Sequence, residues 1–221
     1  MDDLIRWAKP VLADTTNPLE SGVHHAVVTF DDGFQSVLEN ALPELIQRKI
    51  PSTIFIPTGY LGRHAEWDID PESQDCHEKI MTVDQLRKLP SDLVSIGSHT
   101  VTHHRLPLLG EEEARRELVE SRQELESILG CGTKLFSFPY GEYNRVLIEW
   151  SRQAGYKRVF TILPILAFSE PEEYVTGRIM VTPTDWRLEF RLKLLGAYCW
   201  LPLAFALKRK MRLMISKFLP R

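Results

Sequence analysis

The sequence predicts an α/β chain folded as a distorted (β/α) barrel, with fewer than eight regular strands in a single domain. Three observations carry that expectation. Short β-branched and aromatic runs alternate with helical runs in units of roughly 25 to 45 residues, which implies βα repeats and parallel strands. Neither a GxGxxG nor a GxxxxGK(S/T) phosphate loop is present, which removes the commonest use of an open doubly wound sheet. Two adjacent aspartates stand at a strand-to-helix turn, the end at which α/β folds build their sites. The 221 residues, 43% hydrophobic and 26% charged, suffice for one large domain with a sizeable core.

The elements follow in order. HHAVVTF (24–30) reads as a short buried strand, and Asp31, Asp32 and Gly33 turn into a helix whose apolar face is Leu38, Leu42, Leu45 and Ile46. STIFIPTG (52–59) is a second strand, followed by a polar, irregular stretch from Gly62 to Cys76. Thr82 caps a short helix over 82–89, and LVSIGSH (93–99) is a third strand. Residues 111–130 give the clearest helix, with Ala114, Leu118, Leu125 and Ile128 in a stripe, three glutamates at its start and Gly130 at its end. KLFSFPYG (134–141) is a strand and 143–155 a helix, and 156–163 and 174–182 read as further strands.

The charge of −3 conceals an asymmetry. Residues 187–221 hold nine Lys or Arg against one Glu, a net +8, which leaves −11 for residues 1–186. The boundary is therefore placed there: a barrel over 1–186 and a basic, apolar, helical extension over 187–221. An acidic body argues against nucleic acid as a partner. Cys76, Cys131 and Cys199 lie far apart without CxxC spacing, so no disulfide framework or thiolate metal site is expected. The opening MDDLIRWAKPVL lacks a secretory pattern, and a cytoplasmic location is expected.

The third strand runs into SHTVTHH, with His99 and His103 four residues apart. A lone histidine there would be a polar loop residue. Two at this spacing, at the same mouth as two aspartates, suit a divalent metal held by one carboxylate and two imidazoles, with positions left for water. His104 is read as a loop residue.

TFDDGF, SHTVTH and FPYG, in this order over residues 26–144, resemble the first three motifs of the polysaccharide deacetylases, carbohydrate esterase family 4. The resemblance implies a metal-dependent hydrolase that removes an N-acetyl group from an amino sugar in a glycan or lipid-linked glycan precursor. It also implies roles: Asp31 as catalytic base, Asp32, His99 and His103 as metal ligands, and Tyr140 as donor of a backbone N–H to an oxyanion hole. Zinc is the default cation for Asp-His-His, with cobalt, manganese and iron(II) suited to similar ligands. Two other readings stand beside it: a deformylase or other amide hydrolase with the same metal site, and an inactive carbohydrate-binding homologue.

Two departures from the family pattern matter. The third motif lacks the arginine that pairs with the base, since Phe136 and Phe138 occupy that stretch, and no histidine follows His104 to act as general acid. His64, after the second strand, is the candidate acid. Arg178, a charge within an expected strand, is the candidate partner for Asp31. Asp185 and Trp186 resemble a late Asp-Trp element, and a helix cap explains Asp185 equally well. Last, LLGAYCWLPLAFAL (194–207) is uncharged but too short to span a bilayer, which needs roughly 17 to 25 residues. Pro202 interrupts it, and Lys208, Arg209, Lys210 and Arg212 follow. It reads either as core packing or as a peripheral contact with the inner face of the membrane, Trp200, Phe205 and Leu207 entering the headgroup boundary.

Overall fold

The computed structural model describes residues 1–15, 19–67, 69, 73–168, 170 and 173–204. A short helix, α1 (Asp2–Trp7), leads into β1 (Lys9–Pro10), which pairs in parallel with β2 (His25–Ala26). The main sheet holds β3 (Val28–Phe30), β4 (Ser52–Ile56), β5 (Val94–Ser98), β6 (Leu135–Ser137), β7 (Arg158–Phe160) and β8 (Val175–Thr176). Spatial order equals chain order, and every neighbouring pair is parallel. A parallel neighbour requires a crossover each time. α2 (Leu42–Gln47), α3 (Val83–Arg87), α4 (Glu111–Leu129) and α5 (Arg145–Gln153) lie on these crossovers, and α6 (Arg187–Leu194) follows the sheet. The result is a curled half-barrel of six strands, the distorted barrel expected from the sequence. β3 and β8 are its two edges.

The core forms where the helices press onto the sheet. All five residues of β4 are buried, as a strand covered on both faces requires. Leu42, Leu45, Ile54, Ile56, Leu86 and Val94 form one cluster beneath α2 and α3. Leu118, Phe136, Phe138, Leu147 and Val159 form another beneath α4 and α5. Gly97 lets β5 pass under Phe55: a Cβ there would stand 2.4 Å from the ring. Local chemistry agrees with the packing. Thr82 and Gln85 close a reciprocal capping box on α3, and Gly130 ends α4 in the left-handed region at φ 68°.

Several expectations change in detail. The helix after Gly33 begins as a π-helical turn, Val37–Ala41, before α2. Pro43 lacks an N–H, and it stands where the π turn passes into α2, so the missing donor falls at the change of hydrogen-bond register. Ile46, expected inward, is 38% exposed. The two last strands are shorter than their apolar runs, only Arg158–Phe160 and Val175–Thr176 joining the ladder. Arg178 therefore lies beyond β8 rather than inside a strand, and its N–H bonds the Leu163 carbonyl at 2.9 Å. α6 packs Phe190 and Leu194 against the first cluster, and a half-buried Lys193–Asp185 ion pair at 2.7 Å fastens it to the preceding loop. Residues 205–221, with Phe205, Leu207 and the basic cluster, lie outside the described residues.

Candidate active site

Parallel strands present all their carboxyl ends at one mouth. Asp31, Thr58, His99, Tyr140, Thr161 and Arg178 follow β3 to β8 there. The backbone at this mouth is unusual. Of six described non-glycine residues with positive φ, four are Asp32 (68°), Thr100 (68°), His103 (58°) and Tyr140 (56°). Each such residue costs of order 1–3 kcal/mol and persists only where its surroundings hold it, so strain gathers where side chains must be aimed.

The aim is convergent. Asp32 Oδ1 lies 3.4 Å from His99 Nε2 and 3.1 Å from His103 Nε2, and the two ring nitrogens stand 3.2 Å apart. Donor atoms on one face of a zinc-like coordination sphere, with bonds near 2.1 Å, stand about 3.0 to 3.4 Å from one another. The three separations fall in that interval. His99 Nδ1 meets the Ser137 carbonyl at 2.7 Å and must donate to it, which leaves the Nε2 lone pair facing Asp32. Burial pulls the His99 pKa below its ordinary value, so the ring is neutral, the form that ligates. Asp32 Oδ1 is buried and finds no hydrogen-bond donor among the described residues. A cation would satisfy it. The three residues could hold a metal ion.

Asp31 is used differently. Arg178 Nη1 bonds Asp31 Oδ1 at 2.7 Å and Nη2 bonds Oδ2 at 2.8 Å, a two-pronged pair. The remaining guanidinium donors reach Thr29 Oγ1 at 3.1 Å, Ser137 Oγ at 2.8 Å and the Thr161 carbonyl at 3.2 Å. All five donors of the arginine are therefore spent. Because Thr29 and Asp31 belong to the β3 edge and Arg178 to the β8 edge, this pair joins the two open edges of the half-barrel across its mouth. Burial pushes the Asp31 carboxyl up, but the charge and hydrogen bonds of Arg178 prevail and hold it at about 2.

Tyr140, between Pro139 and Gly141, brings its ring 4.9 Å from that of His103, and Arg105 stacks on it at 4.0 Å. Trp67, from the irregular stretch, packs on His103 with ring centroids 4.4 Å apart. Together with Tyr60, His104 and Arg105 they line an open groove of about 340 Å³ beside the Asp-His-His cluster. His64 is exposed, bridged to Lys79, and does not line this groove. Asp185 is engaged by Lys193 and by Thr182. Sequence reasoning did not single out Ser137, which binds Arg178 through its hydroxyl and His99 through its carbonyl. Nor did it single out Glu117, buried on α4 with its carboxylate turned to residues 101 and 102.

Residues 20–159 match the family model for polysaccharide deacetylases. The chain is 26% identical over 176 residues to YxkH of Bacillus subtilis (strain 168), provisionally named a polysaccharide deacetylase, across 80% of this chain and 57% of that protein. It is 26% identical over 164 residues to the poly-β-1,6-N-acetyl-D-glucosamine N-deacetylase of Staphylococcus aureus (strain MRSA252), across 70% of this chain and 53% of that one. It thus spans little more than half the length of the curated relatives it matches. The structure of IcaB from Ammonifex degensii superposes with a TM-score of 0.65 at 26% identity, covering 82% of this chain and 75% of that one. With the motifs, the parallel half-barrel and the family match over 140 of its residues all in agreement, the chain belongs to the polysaccharide deacetylase family.

Proposed function

We propose that the protein is a metal-dependent N-deacetylase of an amino sugar within a glycan or lipid-linked glycan precursor. The observation that carries the reading is the triangle of Asp32, His99 and His103 donor atoms, with Asp31 alongside and engaged elsewhere. A divalent cation there, zinc by default, would supply Lewis acidity, lowering the pKa of water and polarising the acetyl carbonyl. Asp31 takes the proton of the attacking water. Once protonated, Asp31 can hand that proton to the departing nitrogen. The Tyr140 backbone N–H is assigned to the oxyanion, a contribution commonly worth about 3 kcal/mol. Arg178 keeps Asp31 aimed. The aromatic groove beside His103 suits the apolar face of a sugar ring, and its openness suits an internal residue of a chain.

The test is acetate release from N-acetylglucosamine oligomers, β-1,6-linked as in the Staphylococcus substrate and β-1,4-linked, by chelated and zinc-reloaded protein. Acetate from the reloaded protein alone is the expected result. Formate from N-formyl sugars would move the reading to a deformylase. Metal uptake without product from either series, or sugar binding without hydrolysis, would overturn it.

The C-terminal segment is proposed to touch an anionic membrane surface, at the cytoplasmic face expected from the sequence. While Phe190 and Leu194 of α6 face the core, Leu188, Leu192 and Leu195, spaced along one side, are exposed, as are Trp186 and Trp200. Asp3, Arg6, Arg187 and Arg191 border the adjoining groove of about 380 Å³, where Arg187 pairs with Asp3 at 2.9 Å and Arg6 and Arg191 add further positive charge. No described helix is long and apolar enough to cross a membrane. Each Lys or Arg near an anionic surface contributes about 1 kcal/mol, so binding should weaken with salt. Co-sedimentation with phosphatidylserine vesicles at low salt, lost at high salt and in Arg187→Glu/Arg191→Glu protein, is expected. Equal sedimentation with neutral vesicles, or none with either, would assign the face to ordinary packing.

A further inference from the structure

We propose that Glu117 is a positioning residue for His103: it fixes the loop between the two histidines and thereby sets the metal affinity of the site. The inference rests on the metal reading given above. Glu117 is only 5% exposed and lies on the inward face of α4 with Ala114, Leu118, Ser121 and Leu125. A carboxylate in such a place is costly unless its oxygens are bonded. They are. Oε2 accepts from the Val101 N–H at 2.8 Å and the Thr102 N–H at 2.9 Å, and Oε1 accepts from the Thr102 hydroxyl at 2.6 Å. Among the described residues it makes no ion pair, so its interactions point at one loop.

That loop needs holding. Thr100 and His103, both at positive φ, frame it, and the backbone between them must be fixed for His103 to point at Asp32. The polar groups of residues 100–103 divide between two sides. The carbonyls of Thr100 and Val101 accept from the N–H groups of Thr58 and Gly59, at 3.1 and 2.9 Å. Gly59 is required there, since a Cβ would stand 2.7 Å from the Val101 oxygen. The N–H groups of Val101 and Thr102 go to Glu117, and that of His103 goes to Thr100 Oγ1 at 2.9 Å. Glu117 is thus the side chain that ties the loop to a rigid helix.

The two histidines are aimed in different ways. The His99 ring is anchored directly through Nδ1 on the Ser137 carbonyl. The Nδ1 of His103 is buried and has no hydrogen-bond partner among the described residues. Its ring is placed by packing against Trp67 and Tyr140 and by its own backbone. Outer partners of metal ligands typically change affinity by 10–100-fold when removed, usually through a hydrogen bond to the ring. Here the equivalent restraint acts on the loop backbone.

The experiment compares full-length wild type, Glu117→Ala, Glu117→Gln and a core control, Leu125→Ala, by calorimetric Zn²⁺ titration and by the absorption spectrum of the Co²⁺ form. Expected is a 10–100-fold loss of affinity and an altered Co²⁺ spectrum in Glu117→Ala. Glu117→Gln should recover much of both, because its carbonyl can still receive both backbone donors while its amide meets the Thr102 hydroxyl. Leu125→Ala should lower the melting temperature and leave affinity intact. Wild-type affinity in folded Glu117→Ala, or a loss of affinity in Leu125→Ala as large as that in Glu117→Ala, would reduce Glu117 to a packing role and overturn the inference. Should Glu117→Ala not fold, Glu117→Asp, whose carboxylate is one methylene short of the two N–H groups, takes its place, and a wild-type spectrum and affinity in that variant would overturn the inference. Wild-type protein that takes up no metal would remove the underlying reading, and this inference with it.

Discussion

Alanine at Asp32, His99 or His103 is expected to leave protein that purifies without metal and releases no acetate, whereas Asp31→Asn should keep the metal and lose turnover by 10²- to 10⁴-fold. The contrast follows from the geometry. Asp32 Oδ1 faces two imidazole nitrogens and lacks any other partner among the described residues, while both Asp31 oxygens face a guanidinium. Removing a corner of the triangle leaves two donors, too few for tight binding. Asparagine at 31 keeps shape and one acceptor for Arg178 but has no oxygen able to take a proton. Metal analysis and acetate release on the same four preparations decide it. Asp31→Asn that is metal-free, or that turns over at the wild-type rate, would sink the division of labour between neighbouring aspartates.

How much of this was legible in the sequence depended on how local the cause was. Asp31, Asp32, His99 and His103 were legible because chemistry-bearing types followed β-branched runs, and the parallel sheet gathers the ends of such runs. Strand length was over-read at 156–163 and 174–182. Apolar residues such as Ile162 and Leu163 continue past the ladder and stay partly exposed, and hydrophobicity does not distinguish a paired backbone from an unpaired one. Arg178 was noticed as a charge in an apolar run, though its partner sits 147 residues away and only the curl of the sheet brings them together. Glu117 left a readable trace, a glutamate in register with Ala114, Leu118 and Leu125 on the buried stripe of a helix. Its target, two backbone N–H groups in a strained loop, carries no signature of residue type at all.

Arg178→Met should produce the largest loss of stability among single changes at the mouth, because it orphans a charge and opens a seam together. Arg178 is 15% exposed and Asp31 31%, so the pair is mostly but not wholly withdrawn from water. Breaking a buried pair costs about 3–5 kcal/mol, and the residual exposure of Asp31 brings the expectation down to about 2–3 kcal/mol. The pH dependence fixes the cause. In the wild type the Asp31 carboxyl stands at about 2, below its ordinary 3.8, so its contribution is full above about pH 4 and is lost as pH falls towards 2. Without Arg178 the burial effect dominates and the folded-state pKa rises, which reverses the sign: the variant should be penalised at neutral pH and recover as pH falls. Urea unfolding of chelated protein between pH 3 and 7 should therefore show the gap between wild type and Arg178→Met closing on acidification. Arg178→Met combined with Asp31→Asn should be more stable at pH 7 than Arg178→Met alone, since no charge is left unpaired. A gap independent of pH, together with additive effects in the double variant, would mean that the arginine serves only as packing between β3 and β8. The ion pair would then be a consequence of barrel closure rather than the interaction that closes it.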